Sequence, residues 1–96
     1  GVKKYSEDWK NCYSKAQDGL VLVHLAAETI SGEPPARFAT IATLPVGYRP
    51  AKNVAGLPIQ SGTGVNGIVN VRGDGVIEAA GCTYYKMFGV ITFYAA

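Results

Sequence analysis

The stretch that most narrows the fold is Leu20 to Ala27, LVLVHLAA, set between Asp18-Gly19 and Ser31-Gly32-Glu33-Pro34-Pro35. A nearly unbroken run of aliphatic and β-branched residues between turn formers reads as one β-strand. A half-solvated antiparallel strand alternates apolar with polar side chains, yet both alternate sets here, Leu20/Leu22/His24/Ala26 and Val21/Val23/Leu25/Ala27, are mostly apolar. The chain has 96 residues. A domain of that size buries roughly 60 to 65% of the surface its unfolded chain exposes, too little to enclose both faces of such a strand. The expected arrangement packs one face on the domain's own core and the other on neighbouring copies, which makes the protein a homo-oligomer. The competing arrangement covers the second face with loops and the Ser6 to Ala16 segment.

The rest of the chain is punctuated in the same way, with twelve glycines and five prolines setting off short extended runs. Arg37 to Thr43, Lys52 to Ile59, Val65 to Arg72 and Val76 to Ala80 read as strands, and Asp74-Gly75 between the last two is a hairpin signal. Thr83 to Tyr94 reads as the final strand, with Tyr85/Met87/Ile91/Phe93 on one face and Tyr84/Phe88/Val90/Tyr94 on the other. Ser6 to Ala16 is ambiguous. Ser6 as N-cap and the spacing of Trp9, Cys12, Tyr13 and Ala16 suit a helix, while the Asp18-Gly19 turn into a strand and the β pattern elsewhere favour a first strand. The sum is about seven strands in one domain: an all-β, antiparallel β-sandwich or jelly-roll-like head over residues 9–96, with 1–8 as a connector to something upstream.

Composition excludes several classes. Nine basic residues against seven acidic ones give a net charge of +2, and the bases are scattered, so no nucleic-acid footprint is present. The longest apolar run, Gly19 to Ala27, is far short of the ~20 residues that cross a bilayer as a helix, so no membrane insertion is expected. With no leader pattern at its start, the chain reads as a piece of a longer one. Cys12 and Cys82 lie outside any metal-ligand spacing and suit two small buried side chains, with a disulfide between them left open. His24, alone of its kind, sits among aliphatics. The acids form no interpretable catalytic pair. No catalytic residue, metal or cofactor is expected. Arg72-Gly73-Asp74 spells an adhesion tripeptide but is accounted for by turn chemistry.

Thr43 to Pro50, TLPVGYRP, is the most distinctive string. Pro45 and Pro50 fix φ and cannot donate to a ladder, and Gly47 permits a positive φ, so the segment stops one strand and turns the chain before the next. Tyr48 would pack across this corner and Arg49 would donate to carbonyls or a carboxylate. The alternative for Tyr48 and Arg49 is a ring and a fork of donors facing a sugar. Trp9 leads the other aromatic candidates for sugar stacking, which include Tyr5, Tyr13, Tyr84 and Tyr85.

The order Trp9-Lys10-Asn11, Gly19-Leu20-Val21, Ile41-Ala42-Thr43-Leu44-Pro45-Val46-Gly47-Tyr48-Arg49-Pro50 and Gly73-Asp74-Gly75-Val76 resembles the C-terminal tip domain of bacteriophage tail-fibre and baseplate receptor-binding proteins. The resemblance spans roughly Trp9 to Tyr94. It implies a jelly-roll-like head that forms a homotrimer at the end of a fibre, joined to an upstream fibre domain of the same chain. Such a head belongs to a virion tail or tail-like particle, assembled in the bacterial cytoplasm and acting outside cells. It implies binding of host cell-wall or capsular glycan without catalysis, and assigns no site residues. The rival expectation is a passive trimerisation or fibre-end cap with no ligand of its own. With few charges in the chain, binding is expected to change little with salt.

Overall fold

The computed structural model describes residues 1–61 and 66–96. Eight strands follow one another: β1 (Val2–Lys4), β2 (Cys12–Lys15), β3 (Leu20–Thr29), β4 (Thr40–Thr43), β5 (Val54–Ser61), β6 (Asn66–Val71), β7 (Val76–Ala79) and β8 (Lys86–Tyr94). Every pairing is antiparallel, and the ladder runs β1-β3-β8-β5-β6-β7-β4, with β2 joining the same edge of β3 as β1. The sheet curls until β1 lies beside β4. No ladder joins these two ends, so the barrel-like shape is closed on all but one line. The all-β, antiparallel class expected from the sequence is the class observed, and facing halves of the curled sheet enclose the core as two layers would.

The apolar run Leu20 to Ala27 is the centre of the fold. β3 pairs with β8 through nine consecutive residues, Leu20 opposite Tyr94 to Glu28 opposite Lys86. Val21, Val23 and Leu25 point inward with Met87, Ile91 and Phe93 of β8, and Ile59, Val69, Val71 and Ile77 complete the core from the far side. Gly89 faces inward in the middle of β8, where a Cβ would stand 3.1 Å from Ile59 Cγ2. The missing side chain is what lets Ile59 reach across.

Two N-terminal segments take definite form in the structure. Residues 1–8, read as a connector, contribute β1: Val2 turns its side chain to the core and Val2–Lys4 pair with Thr29–Ala27. A three-residue run with two lysines carries too little apolar periodicity to be seen in sequence. Ser6 to Ala16 resolves to a strand over Cys12–Lys15 preceded by a turn, and no helix occurs among the described residues. Ser6 Oγ does accept the Asp8 amide at 3.1 Å, and the Trp9 amide reaches Ser6 O at 3.2 Å. The hydrogen bond that made Ser6 look like a cap therefore serves an isolated turn.

The Asp74-Gly75 hairpin joins β6 to β7 as read, closed by Arg72 N to Val76 O at 2.8 Å and Gly75 N to Arg72 O at 2.9 Å. Val65, at the start of the strand expected from 65 to 72, lies outside the described residues. Pro58 is tolerated inside β5 because β5 meets β8 only at Gln60 and Ser61, so its first half has a free edge.

Candidate functional site

The segment from Tyr5 to Asn11 leaves the edge of β3 and returns to it at a single residue, Ala26. Tyr5 N donates to Ala26 O at 3.0 Å. The Asn11 carboxamide then pairs with both backbone polar groups of Ala26, donating to Ala26 O at 2.8 Å and accepting from Ala26 N at 2.9 Å. A side chain thus takes the place of a strand's backbone between β1 and β2. The pinched loop lays its aromatic rings on the outer face of the sheet: Tyr5 meets Phe88 edge-on at 5.2 Å between ring centroids, and Trp9 lies 6.2 Å from Tyr5 and 6.3 Å from Phe88. The Lys86 ammonium rests 4.9 Å from the Tyr5 ring centre. A hydrogen bond with Tyr85 is the main reason that its pKa lies above the ordinary lysine value.

Trp9 stays 57% exposed. Beside it opens a concavity of about 420 Å³, walled by Trp9, Lys10, Phe88 and Val90 and floored along β3 by His24 and Ala26, with Gln60 at its β5 side. Volumes of roughly 300 to 1,000 Å³, mostly apolar with a few polar groups, are typical of small-ligand sites. From Val90, at 49% exposure, the same outer face continues to half-buried Leu22 and to Tyr94 at 61%. The loop therefore covers one end of the second apolar face and leaves the other end open.

Tyr48 and Arg49 form a separate cluster at the corner. Pro45 to Tyr48 make a turn, with Tyr48 N to Pro45 O at 3.2 Å and Gly47 at φ 98°. The Tyr48 ring meets Tyr13 of β2 at 4.8 Å, and Lys15 lies over it at 5.4 Å while donating to Gly47 O at 2.8 Å. Arg49 Nε donates back to Leu44 O at 2.8 Å. Arg49 crosses Gly75 so closely that a Cβ there would stand 2.7 Å from Nε and collide with the Leu44 carbonyl oxygen. Pro50 is buried. Pro45, Gly47, Tyr48, Arg49 and Pro50 together tie the end of β4 to β2 and to the β6–β7 hairpin, which is corner work. The fold does not bring Tyr48 and Arg49 to Trp9.

The remaining candidates sort by position. Tyr84 and Tyr85 pack against each other at 4.7 Å. Both cysteines are free thiols. Cys12 is exposed on β2, contrary to the buried place expected, because its strand is an open edge, and Cys82 is half-buried with burial raising its pKa. Among the described residues no group of acids, histidines and cysteines is arranged to hold a metal. Arg72 is directed to the buried Glu78 at 3.2 Å and Asp74 to the Val76 amide at 3.1 Å, so the tripeptide at the hairpin is engaged in holding its own turn.

Lys10, His24 and Phe88 were not singled out as site residues. The signal was present in part, since His24, Ala26, Phe88 and Val90 fall on the outward sets of their strands. What was missing is the register that sets His24 opposite Val90. No protein-family model matches the chain, and no curated protein matches it.

Proposed function

We propose that the chain is a saccharide-binding head of the kind found at the tips of phage tail fibres and baseplates, and that it binds host-surface glycan without catalysis. The observation that carries this reading is Trp9: a large ring, 57% exposed, held beside Tyr5 and Phe88 at the edge of a shallow concavity with polar groups next to it. A pyranose stacks its apolar face on such a ring while its hydroxyls reach neighbouring donors and acceptors. The order of the corner string, the long apolar strand and the Asp-Gly hairpin supports the choice of family. In this reading Leu22, Val90 and Tyr94 form the seam of a homotrimer, which sets the concavity at the subunit boundary. A shallow wet site gives dissociation constants of roughly micromolar to millimolar, and three heads on one fibre raise the hold by effective concentration.

Trp9 is the only tryptophan, so its emission reports the site directly. Titration with host cell-wall polysaccharide fragments should shift or quench that emission, and Trp9→Ala should abolish binding measured by calorimetry while melting changes little. The second reading, a passive trimerisation or end cap, is favoured by the open apolar end of the same face. Absence of any response at millimolar saccharide decides for the cap.

A further inference from the structure

We infer that the Trp9 concavity selects an acidic saccharide, one bearing a carboxylate or phosphate, over its neutral counterpart; the inference rests on the saccharide-binding reading above. The chain as a whole is close to neutral, but the wall of this site is not. Its ionisable side chains are Lys10 and His24, both nitrogen bases, and no carboxylate lines it. The nearby acids are placed elsewhere. Glu7 pairs with Lys4 at 3.8 Å, and Glu28, further along β3, pairs with Lys3 at 3.6 Å. Asp8 is exposed in the turn before Trp9 and does not line the concavity. On the β8 side the nearest charge is again a cation, Lys86, held over Tyr5. From β5 the site receives only the neutral Gln60.

An anionic sugar stacked on Trp9 therefore meets the Lys10 ammonium without a facing carboxylate to repel it. The ammonium acts as a point charge on a flexible stem, which suits carboxylate and phosphate alike. Because Lys10 is exposed, the attraction is screened at distances beyond about 10 Å in 0.1 M salt. This replaces, for this site, the salt-insensitive binding that net charge alone suggests.

The test follows Trp9 emission while methyl glucoside, methyl glucuronide and glucose 1-phosphate are titrated at low and high salt. The expected result is that one or both anionic sugars bind about fivefold or more tighter than the glucoside at low salt, with the gap closing as salt screens it. Which anion binds tighter tells a uronic-acid polymer from a phosphate-bearing one. Lys10→Gln should bring the ratio toward one, whereas Lys52→Gln, at an exposed bend that does not line the concavity, should leave it unchanged and so exclude a net-charge effect. Equal binding of all three sugars overturns acidic selection and leaves the saccharide reading standing. Failure of all three, and of the polysaccharide fragments, overturns both.

Discussion

Asn11 and Arg49 show how much single side chains do in a sheet this small. Each supplies hydrogen bonds where regular backbone pairing stops: Asn11 spans the interval between β1 and β2 at Ala26, and Arg49 closes the corner onto Leu44 O at 2.8 Å. Asn11→Asp keeps the shape but turns a donor into an acceptor facing a carbonyl, so it should cost about 1 to 3 kcal/mol. For a domain of this size that is a fall in Tm of roughly 4 to 8 °C per kcal/mol, measurable by calorimetry. It should also weaken saccharide binding, because the loop that carries Trp9 is anchored there. At the corner, Arg49→Ala should cost about 1 kcal/mol and Tyr48→Ala about 2 kcal/mol, both with saccharide affinity unchanged. Unchanged melting with lost binding in the Tyr48 variant would move the site to the corner.

At the scale of strands, the extended runs between Gly and Pro were legible because turn residues and period-two patterning are local properties of the chain. The faces of β8 were legible for the same reason. The Met87/Ile91/Phe93 set is the inner one, as its buried positions show. What local pattern cannot contain is which strands neighbour one another. Hence the Lys10, His24 and Phe88 site, which assembles from the loop before β2, from β3 and from β8, stayed out of reach, while Trp9, conspicuous by itself, did not. β1 was missed because its stability comes from Thr29 and Ala27 across the ladder rather than from its own Val2-Lys3-Lys4. The ladder predicts a gradient of protection. In hydrogen exchange the β3 and β8 amides of the shared nine-residue register should open only with global unfolding, and those of β1 and β2, three- and four-residue edge strands, should exchange through local fraying. Uniform protection across all four would mean that the edges are covered by another chain.

For the whole molecule, the second apolar face is the surface on which the proposed assembly rests. The Tyr5 to Asn11 loop shields the Phe88 end, and Leu22, Val90 and Tyr94 stay at the surface. The proposed homotrimer buries them, so light scattering at micromolar concentration should give three chains per particle. Val90→Glu, at an exposed outward position, should release folded monomers, since a carboxylate buried in an apolar seam costs several kcal/mol per copy. A wild-type monomer with unchanged secondary structure would reverse the assembly proposal and assign the open end of the face to ligand alone.

Counting β1 and β2 as one position, the ring has seven places: β1/β2, β3, β8, β5, β6, β7 and β4. Neighbours that must all point in opposite directions cannot be seated around an odd ring; the arrangement is frustrated, as an odd cycle of alternating spins is, and one pair must point the same way. Here that pair is the shared β1/β2 position and β4. Their antiparallel ladder is forbidden by parity, whatever their side chains. The seam is fastened instead by rings and a lysine, Tyr13 and Lys15 against Tyr48 and Gly47, above a cleft that reaches down to Val23, Leu44 and Ile77. Heat or denaturant should therefore split this tube lengthwise along a predetermined line, and the TLPVGYRP corner acts as its clasp.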